Sequence, residues 1–483
     1  MICWWFWGPI RIFPVYTKCE SVIYAVFRFQ KLALDRLSQG RYRSLPAPLR
    51  LVLGLAMLVI LGTGCLLLPG ISAQEPLSLM EALFTATSAL SVTGLSIITP
   101  VTDLTLGGQI VLLALIQMGG VGFMVLAVVI FRLLGRRISL LDRQALCNSL
   151  GLLEPEAILH LTQRVLIAVI SLELMGACFL WVNWREQLGD QRALFFALFH
   201  AISSFCNAGF DLFTGLPEYP EGIPTDNLTL MILGSLILIG GLGIPVIGDI
   251  FLLVWRREIR LSLHSKVTLG VAASLLCVGG LGLLVSESLL NESLQQESWL
   301  HRVILTFFQS ISARTAGFAG LSMQSLSPPG QLLLMGLMFI GAAPASMGGG
   351  ITTGTFAVLV LALWGYARGL PSAQIAGRSL APDMVRKAAA VLTVSLFVVL
   401  LAAWLILISD ALELDPVLFE VISAFATCGL SLGFTGELNL FGQLVIVLVM
   451  FWGRLGALTI ILALAQQQPR QLVVYPEEQI LIG

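Results

Sequence analysis

Hydrophobic positions along this chain gather into long, nearly unbroken runs separated by short polar stretches. Eight runs stand out, at about 51–69, 107–131, 164–182, 228–254, 266–286, 331–363, 386–409 and 440–465. Each is long enough to cross about 30 Å of hydrocarbon, which takes roughly 20 helical residues. Between the first and second member of each pair lies a shorter amphipathic stretch, at roughly 78–92, 192–206, 301–314 and 416–427. These four are too brief to cross a bilayer and predict re-entrant helices.

A glycine loop closes each short stretch. The loops read SALSVTGL (88–95), SSFCNAGF (203–210), SISARTAGF (310–318) and SAFATCGL (423–430). In each copy a Phe is followed ten residues later by glycine and then Leu or Phe: Phe84 to Gly94, Phe199 to Gly209, Phe307 to Gly317, Phe419 to Gly429. Serine sits six before the glycine at Ser88, Ser203 and Ser423, and is displaced to Ser312 in the third copy. The glycines are 115, 108 and 112 residues apart, so the chain reads as four copies of one unit. The expected organisation is an N-terminal cytoplasmic segment (1–50), repeats at 51–131, 164–254, 266–363 and 386–465, and a C-terminal tail (466–483). The expected fold class is an all-α polytopic membrane protein, with four fused helix–pore loop–helix repeats around a central pore.

The second long run of each copy carries small residues 24 to 31 positions past the loop glycine: Gly119-Gly-Val-Gly122, Gly240-Gly-Leu-Gly243, Gly341-Ala-Ala-Pro344 and Gly453-Arg-Leu-Gly456. Small residues let helices approach closely in lipid, so packing alone accounts for them; their equivalent placement supports the repeat. In the third copy, Ala345 to Gly354 holds four glycines within seven residues. Each costs a helix about 1 kcal/mol, so the helix is expected to break there.

Composition sharpens this picture. Of 483 residues 57% are apolar and only 11% charged, whereas soluble domains carry about a quarter charged residues. The net charge of −1 is uninformative, but its distribution is not. Of 27 Lys and Arg, 22 fall in the N-terminal arm, the links between copies or the tail, among them Arg36, Arg41, Arg43, Arg136, Arg137, Arg256, Arg257, Arg260, Arg386 and Lys387. The positive-inside rule makes those segments, and both termini, cytoplasmic. On the other side lie 17 of the 28 acids, including Glu75, Asp103, Glu218, Glu221, Asp226, Glu292, Glu297, Asp410 and Glu437. They form either a solvated face or a mouth that concentrates cations.

Other classes find little support. The eight cysteines are scattered, without the spacing of a disulfide framework or zinc site. No HExxH, paired intramembrane carboxylates or Ser/His arrangement points to an enzyme. No GxGxxG unit provides a nucleotide-binding domain, and no nucleic-acid partner is expected. The aromatic start, with Trp4, Trp5 and Trp7, reads as an interfacial segment rather than a signal peptide.

A dehydrated monovalent cation needs oxygen ligands in place of water, and rings of backbone carbonyls supply them. Glycine permits the φ values that aim carbonyls at one axis. Four loops with one glycine in the same place can provide four such strands. The units resemble the helix–pore–helix units of the Trk/Ktr/HKT superfamily of potassium transporters over roughly residues 50–465, with CNAGF (206–210) and RTAGF (314–318) the most specific matches. The resemblance implies a potassium selectivity filter of Val92-Thr93-Gly94, Asn207-Ala208-Gly209, Thr315-Ala316-Gly317 and Thr427-Cys428-Gly429. Four filter glycines match the potassium-selective pattern; serine at the first would have suggested a sodium-preferring relative. It also implies an intramembrane gate at Met347, Gly348, Gly349, Gly350, Thr352, Thr353 and Gly354, and a pore arginine at Arg454. An intramembrane Arg marks a functional site by default. Arg314 is expected to brace the filter from behind, and Glu173 has no assigned role. Eight spans resemble the Ktr-type membrane subunit, which implies potassium uptake at the cell membrane, a sodium requirement, a homodimer in membrane lipid and a separate cytosolic nucleotide-binding ring. A sodium-conducting relative and an accessory pump subunit remain alternatives.

Overall fold

Polar caps open several helices of this chain, and glycine loops follow the four short ones. The computed structural model describes residues 47–121, 158–219, 222–255, 261–344 and 346–456. The aromatic start, the tail 466–483 and Arg36, Arg41, Arg43, Arg136, Arg137, Arg256, Arg257 and Arg260 lie outside them. The described residues form fourteen principal helices: α1 (Ala47–Leu66), α2 (Leu79–Ser91), α3 (Leu106–Val121), α4 (Ile158–Leu188), α5 (Asp190–Phe205), α6 (Asn227–Gly241), α7 (Ile244–Trp255), α8 (Leu263–Leu290), α9 (Trp299–Ser312), α10 (Pro328–Phe339), α11 (Thr353–Ala367), α12 (Pro382–Ser409), α13 (Leu414–Ala426) and α14 (Leu440–Leu455). A two-stranded ribbon, Gln374–Ile375 with Arg378–Ser379, joins α11 to α12.

Capping chemistry explains where several of these begin. Ser78 and Glu81 form a capping box at α2, each side chain bonding the other's backbone N–H (3.2 and 2.7 Å). Asp226 caps α6 through Thr229, and Asn439 caps α14 through Gly442. Asp410 in turn accepts from the Asn439 N–H at 3.0 Å. Part of the acidic face read from the sequence is therefore cap chemistry.

Among the described residues, three helices are long and apolar enough by themselves to cross a membrane: Leu166–Leu188 within α4, α8 and α12. Asn227–Gly241 and Ile244–Ile250 reach the same length and hydropathy only as a pair, bent by 103° at the break between them. Leu51–Leu66, Leu106–Val121, Thr353–Ala367 and Leu440–Leu455 are shorter apolar helices. The bend between α6 and α7 was not expected from the apolar run. Its cause is local: Gly243 sits at φ +83°, and Pro245 follows in the first turn of α7. The break between α10 and α11 falls at the glycine cluster, with residues 340–344 and 346–352 non-helical and Ile340 paired to Ile351 in a parallel bridge.

The short helices α2, α5, α9 and α13 hold the arrangement together. Each packs on the long helix before it: α1 on α2, α4 on α5, α8 on α9, α12 on α13. Each is also touched by the second helix of the preceding unit: α3 on α5, α6 on α9, α10 on α13, and α14 back on α2. The circuit is closed. Small residues make the contacts possible. A Cβ on Gly119 would lie 2.5 Å from the Leu90 carbonyl oxygen at the end of α2. Cβ atoms on Gly240 and Gly453 would collide with the carbonyls of Phe205 and Phe425 at the ends of α5 and α13.

Gly240→Ala should therefore lower the thermal midpoint of the detergent-solubilised protein, although alanine is the better helix former by about 1 kcal/mol. Gly64→Ala, with nothing within 4 Å of where its Cβ would stand, should leave the midpoint unchanged or raise it. Equal midpoints for the two variants would refute the close packing.

Candidate functional site

The four glycine loops meet in a ring. A Cβ on Gly209 would lie 2.6 Å from the Ala316 carbonyl oxygen, and one on Gly94 2.5 Å from that of Ala208. Gly317 stands in the same relation to Cys428, and Gly429 to Thr93. Each missing side chain is thus the space taken by the carbonyl of the next loop. The backbone repeats too. Val92, Asn207, Thr315 and Thr427 have φ between +49° and +78°, and each is followed two residues later by a glycine at positive φ. Positive φ costs a non-glycine residue about 1 kcal/mol or more, so four such residues require a surrounding that enforces them. The first two residues of every strand are fully buried, while the glycines are partly open.

Serine and backbone groups of the short helices hold the strands. Ser88 Oγ accepts from Gly94 N–H at 3.0 Å, and Ser423 Oγ accepts from Gly429 N–H at 3.0 Å. In the other two loops the bond reverses: Ser203 Oγ donates to the Phe210 carbonyl (2.7 Å) and Ser312 Oγ to that of Phe318 (2.6 Å). The Asn207 amide oxygen accepts from the Thr315 hydroxyl at 3.2 Å while its nitrogen reaches the Ser204 and Ile237 carbonyls. The C-terminal ends of α2, α5, α9 and α13 lead directly into the ring and bring the negative ends of four helix dipoles to it.

Three anchors behind the ring escaped the sequence reading. His200 Nε2 accepts from Leu212 N–H (3.3 Å), and Gln309 Oε1 from Gly320 N–H (2.9 Å). Buried Glu420 accepts from Thr435 Oγ1 (3.0 Å) and from Ser431. All lie one or two positions after the repeated Phe, which is the signal that would have found them.

Beneath the ring lies the segment between α10 and α11. Gly349 N–H donates to Thr427 Oγ1 at 2.9 Å, tying this segment to the fourth strand. A Cβ on Gly348 would strike the Thr315 side chain, and Gly350 adopts φ +74° with its side-chain position 3.2 Å from Ala426. The Ala343 and Met347 N–H groups donate to the Gly241 and Gly240 carbonyls (3.1 and 3.5 Å). Arg454 closes the arrangement, donating to the carbonyls of Met347 and Gly119, and to that of Gly120 at 3.5 Å. Thr352 caps α11 through the Thr355 N–H, Thr353 N–H donates to Ala342 O, and a Cβ on Gly354 would touch Pro344. These last three hold the helix start rather than the ring. Arg314 is buried in a cleft with Thr268, Ile311, Ala342 and Ala343, and among the described residues it makes no bond to the four strands.

Apolar helices around a cyclic set of glycine loops, with the partly buried Arg454 below, define a membrane transport protein for cations. The TrkH family of cation transport proteins matches residues 56–474, and the chain belongs to that family. It is 36% identical to the Ktr system potassium uptake protein B of Vibrio alginolyticus over 426 residues, covering 88% of this chain and 92% of that one. It is 35% identical to the protein of the same description from Bacillus subtilis, over 90% of this chain and 96% of that one. The potassium/sodium uptake protein NtpJ of Enterococcus hirae is 34% identical over 92% of this chain and 99% of its own. The fold is similar to the crystal structure of the potassium transporter TrkH from Vibrio parahaemolyticus, with TM-score 0.68, 21% identity, and 88% and 86% of the two chains covered.

Removing the serine acceptor from one strand leaves a part-buried glycine N–H unsatisfied, which costs about 1 kcal/mol. Ser423→Ala should lower the thermal midpoint, and Ser423→Thr should retain more of it because the hydroxyl remains. A loss with threonine as large as with alanine would count against the Gly429 bond.

Proposed function

We propose that this chain takes up potassium across the cell membrane as the ion-conducting subunit of a Ktr-type system. The observation that carries the reading is the glycine ring: four carbonyl-lined strands brought so close that no side chain fits between neighbours. Val92-Thr93-Gly94, Asn207-Ala208-Gly209, Thr315-Ala316-Gly317 and Thr427-Cys428-Gly429 form the selectivity filter, where backbone oxygens replace the hydration shell of the ion. The four helix C-termini add negative potential at the same place. Met347, Gly348, Gly349 and Gly350 form the gate. Its closed position is held by the bonds from Gly349 to Thr427 and from Arg454 to Met347. Thr352, Thr353 and Gly354 hinge it to α11. A guanidinium below a cation filter opposes passage, so conduction requires Arg454 to leave the Met347 carbonyl and the loop to move aside.

The basic links and arm face the cytoplasm with both termini. A cytosolic nucleotide-binding ring docks there, and two copies of the chain pair in the membrane as a homodimer. Sodium is a coupling or activating ion, a reading favoured by the description of NtpJ as a potassium/sodium uptake protein.

The test is growth of a potassium-uptake-deficient bacterium on limiting potassium, with and without sodium and with a regulatory ring supplied. Rescue that needs sodium supports both statements; a membrane-inserted chain that never rescues defeats the uptake reading. Gly94→Ser must displace the Ala208 carbonyl, since its Cβ would lie 2.5 Å from that oxygen. Discrimination against sodium should fall about tenfold or more in a flux assay, equivalent to about 1.4 kcal/mol. Arg454→Ala and Thr427→Val should change the rate of uptake more than the ion preference, because each removes a tether of the gate and leaves the ring intact.

A further inference from the structure

Glu173 stands midway along α4, a helix whose neighbouring positions Leu174 and Met175 are exposed to the surroundings of the protein. The carboxylate itself is only 3% exposed. A buried carboxylate at membrane depth is costly and persists where partners satisfy it. Its partners come from two other elements. Gln117 Nε2 on α3 donates to both carboxylate oxygens, at 3.2 and 3.1 Å. The Cys206 thiol, at the end of α5, lies 3.8 Å from Glu173 Oε1 and 3.7 Å from Gln117 Oε1.

Each corner of this triangle leads to the ion pathway. Cys206 directly precedes Asn207, the first residue of the second strand. Gln117 lies within one helical turn of Gly119 and Gly120, whose carbonyls receive Arg454. Gly120 cannot carry a side chain, because its Cβ would collide with Cys206 Sγ. The acid and the arginine therefore grip the same turn of α3, one through the Gln117 amide and the other through backbone carbonyls. We infer that Glu173 is a positioning residue of the ion pathway, one that fixes the carbonyl cradle of Arg454 and the foot of the second strand through Gln117 and Cys206. The inference rests on the filter and gate assignment above.

Potassium and sodium uptake by the full chain in proteoliposomes, with its cytosolic partner present, tests it. Glu173→Gln preserves volume and removes the charge. It should lower the potassium-to-sodium uptake ratio about tenfold, the size expected for losing a hydrogen bond to a charged group. In a Gln117→Leu background the same substitution should have a much smaller effect, since the amide through which the acid acts is gone. A ratio unchanged by Glu173→Gln, or an equal effect in both backgrounds, overturns the inference while leaving the uptake reading intact. Absence of potassium uptake by the unsubstituted chain defeats that reading instead. Should Glu173→Gln fail to reach the membrane, Gln117→Leu is measured in its place. It keeps the acid and removes its anchor, so a fall in the ratio supports the inference and an unchanged ratio overturns it.

Discussion

The close approach of each loop glycine to the carbonyl of the next loop is the constraint on which the rest of the structure depends. A Cβ at Gly94 or Gly209 would stand 2.5 or 2.6 Å from an oxygen, far inside van der Waals contact. The ring can therefore close only if all four loops reach the same depth with the same backbone. That demand propagates outward. Val92, Asn207, Thr315 and Thr427 must accept positive φ, and Ser88, Ser203, Ser312 and Ser423 hold the strands in that shape. The four short helices must then end at a common level, which the closed circuit of helix contacts enforces.

Electrostatics below the ring follows from its carbonyls. Among the described residues, Arg454 is held below the ring by hydrogen bonds to backbone oxygens rather than by a carboxylate in direct contact. Backbone carbonyls are weaker partners than a carboxylate, which suits the movement proposed for the loop between α10 and α11. Glu173 lies one layer further out, bound by the Gln117 amide on the same turn of α3 whose carbonyls receive Arg454. The anchors His200, Gln309 and Glu420 act on the opposite side, fixing the legs by which the chain leaves the ring.

The small residues of the second helices join these two levels. Gly119, Gly240 and Gly453 bring their helices against the carbonyl ends of α2, α5 and α13, and Gly341 brings its own segment against Gly349. In three units the consequence is helix packing. In the third, the same position is spent on the loop that crosses beneath the ring, which is why that unit contains the break.

Much of this was legible in the sequence because it is written in local, repeated terms. Apolar runs, a Phe-to-glycine spacing of ten, and a glycine cluster at 348–354 each follow from what a few neighbouring residues can do in lipid or in a helix. The membrane class, the helical fold and the family follow from those. Contacts between units were not legible, since no residue type announces its partner a hundred positions away. The bend of 103° between α6 and α7 was hidden in an apolar run, and packing explained its glycines equally well. Arg314 was expected at the back of the strands and lies instead in a cleft, while Glu173 had no visible partner until folding set Gln117 and Cys206 beside it. By itself the sequence determined which segments become helices and which four loops carry the glycines, because propensity and hydropathy are local. Only the tertiary structure decided which carbonyl fills each missing side chain and which groups satisfy the buried charges, because those are pairings between distant parts of the chain.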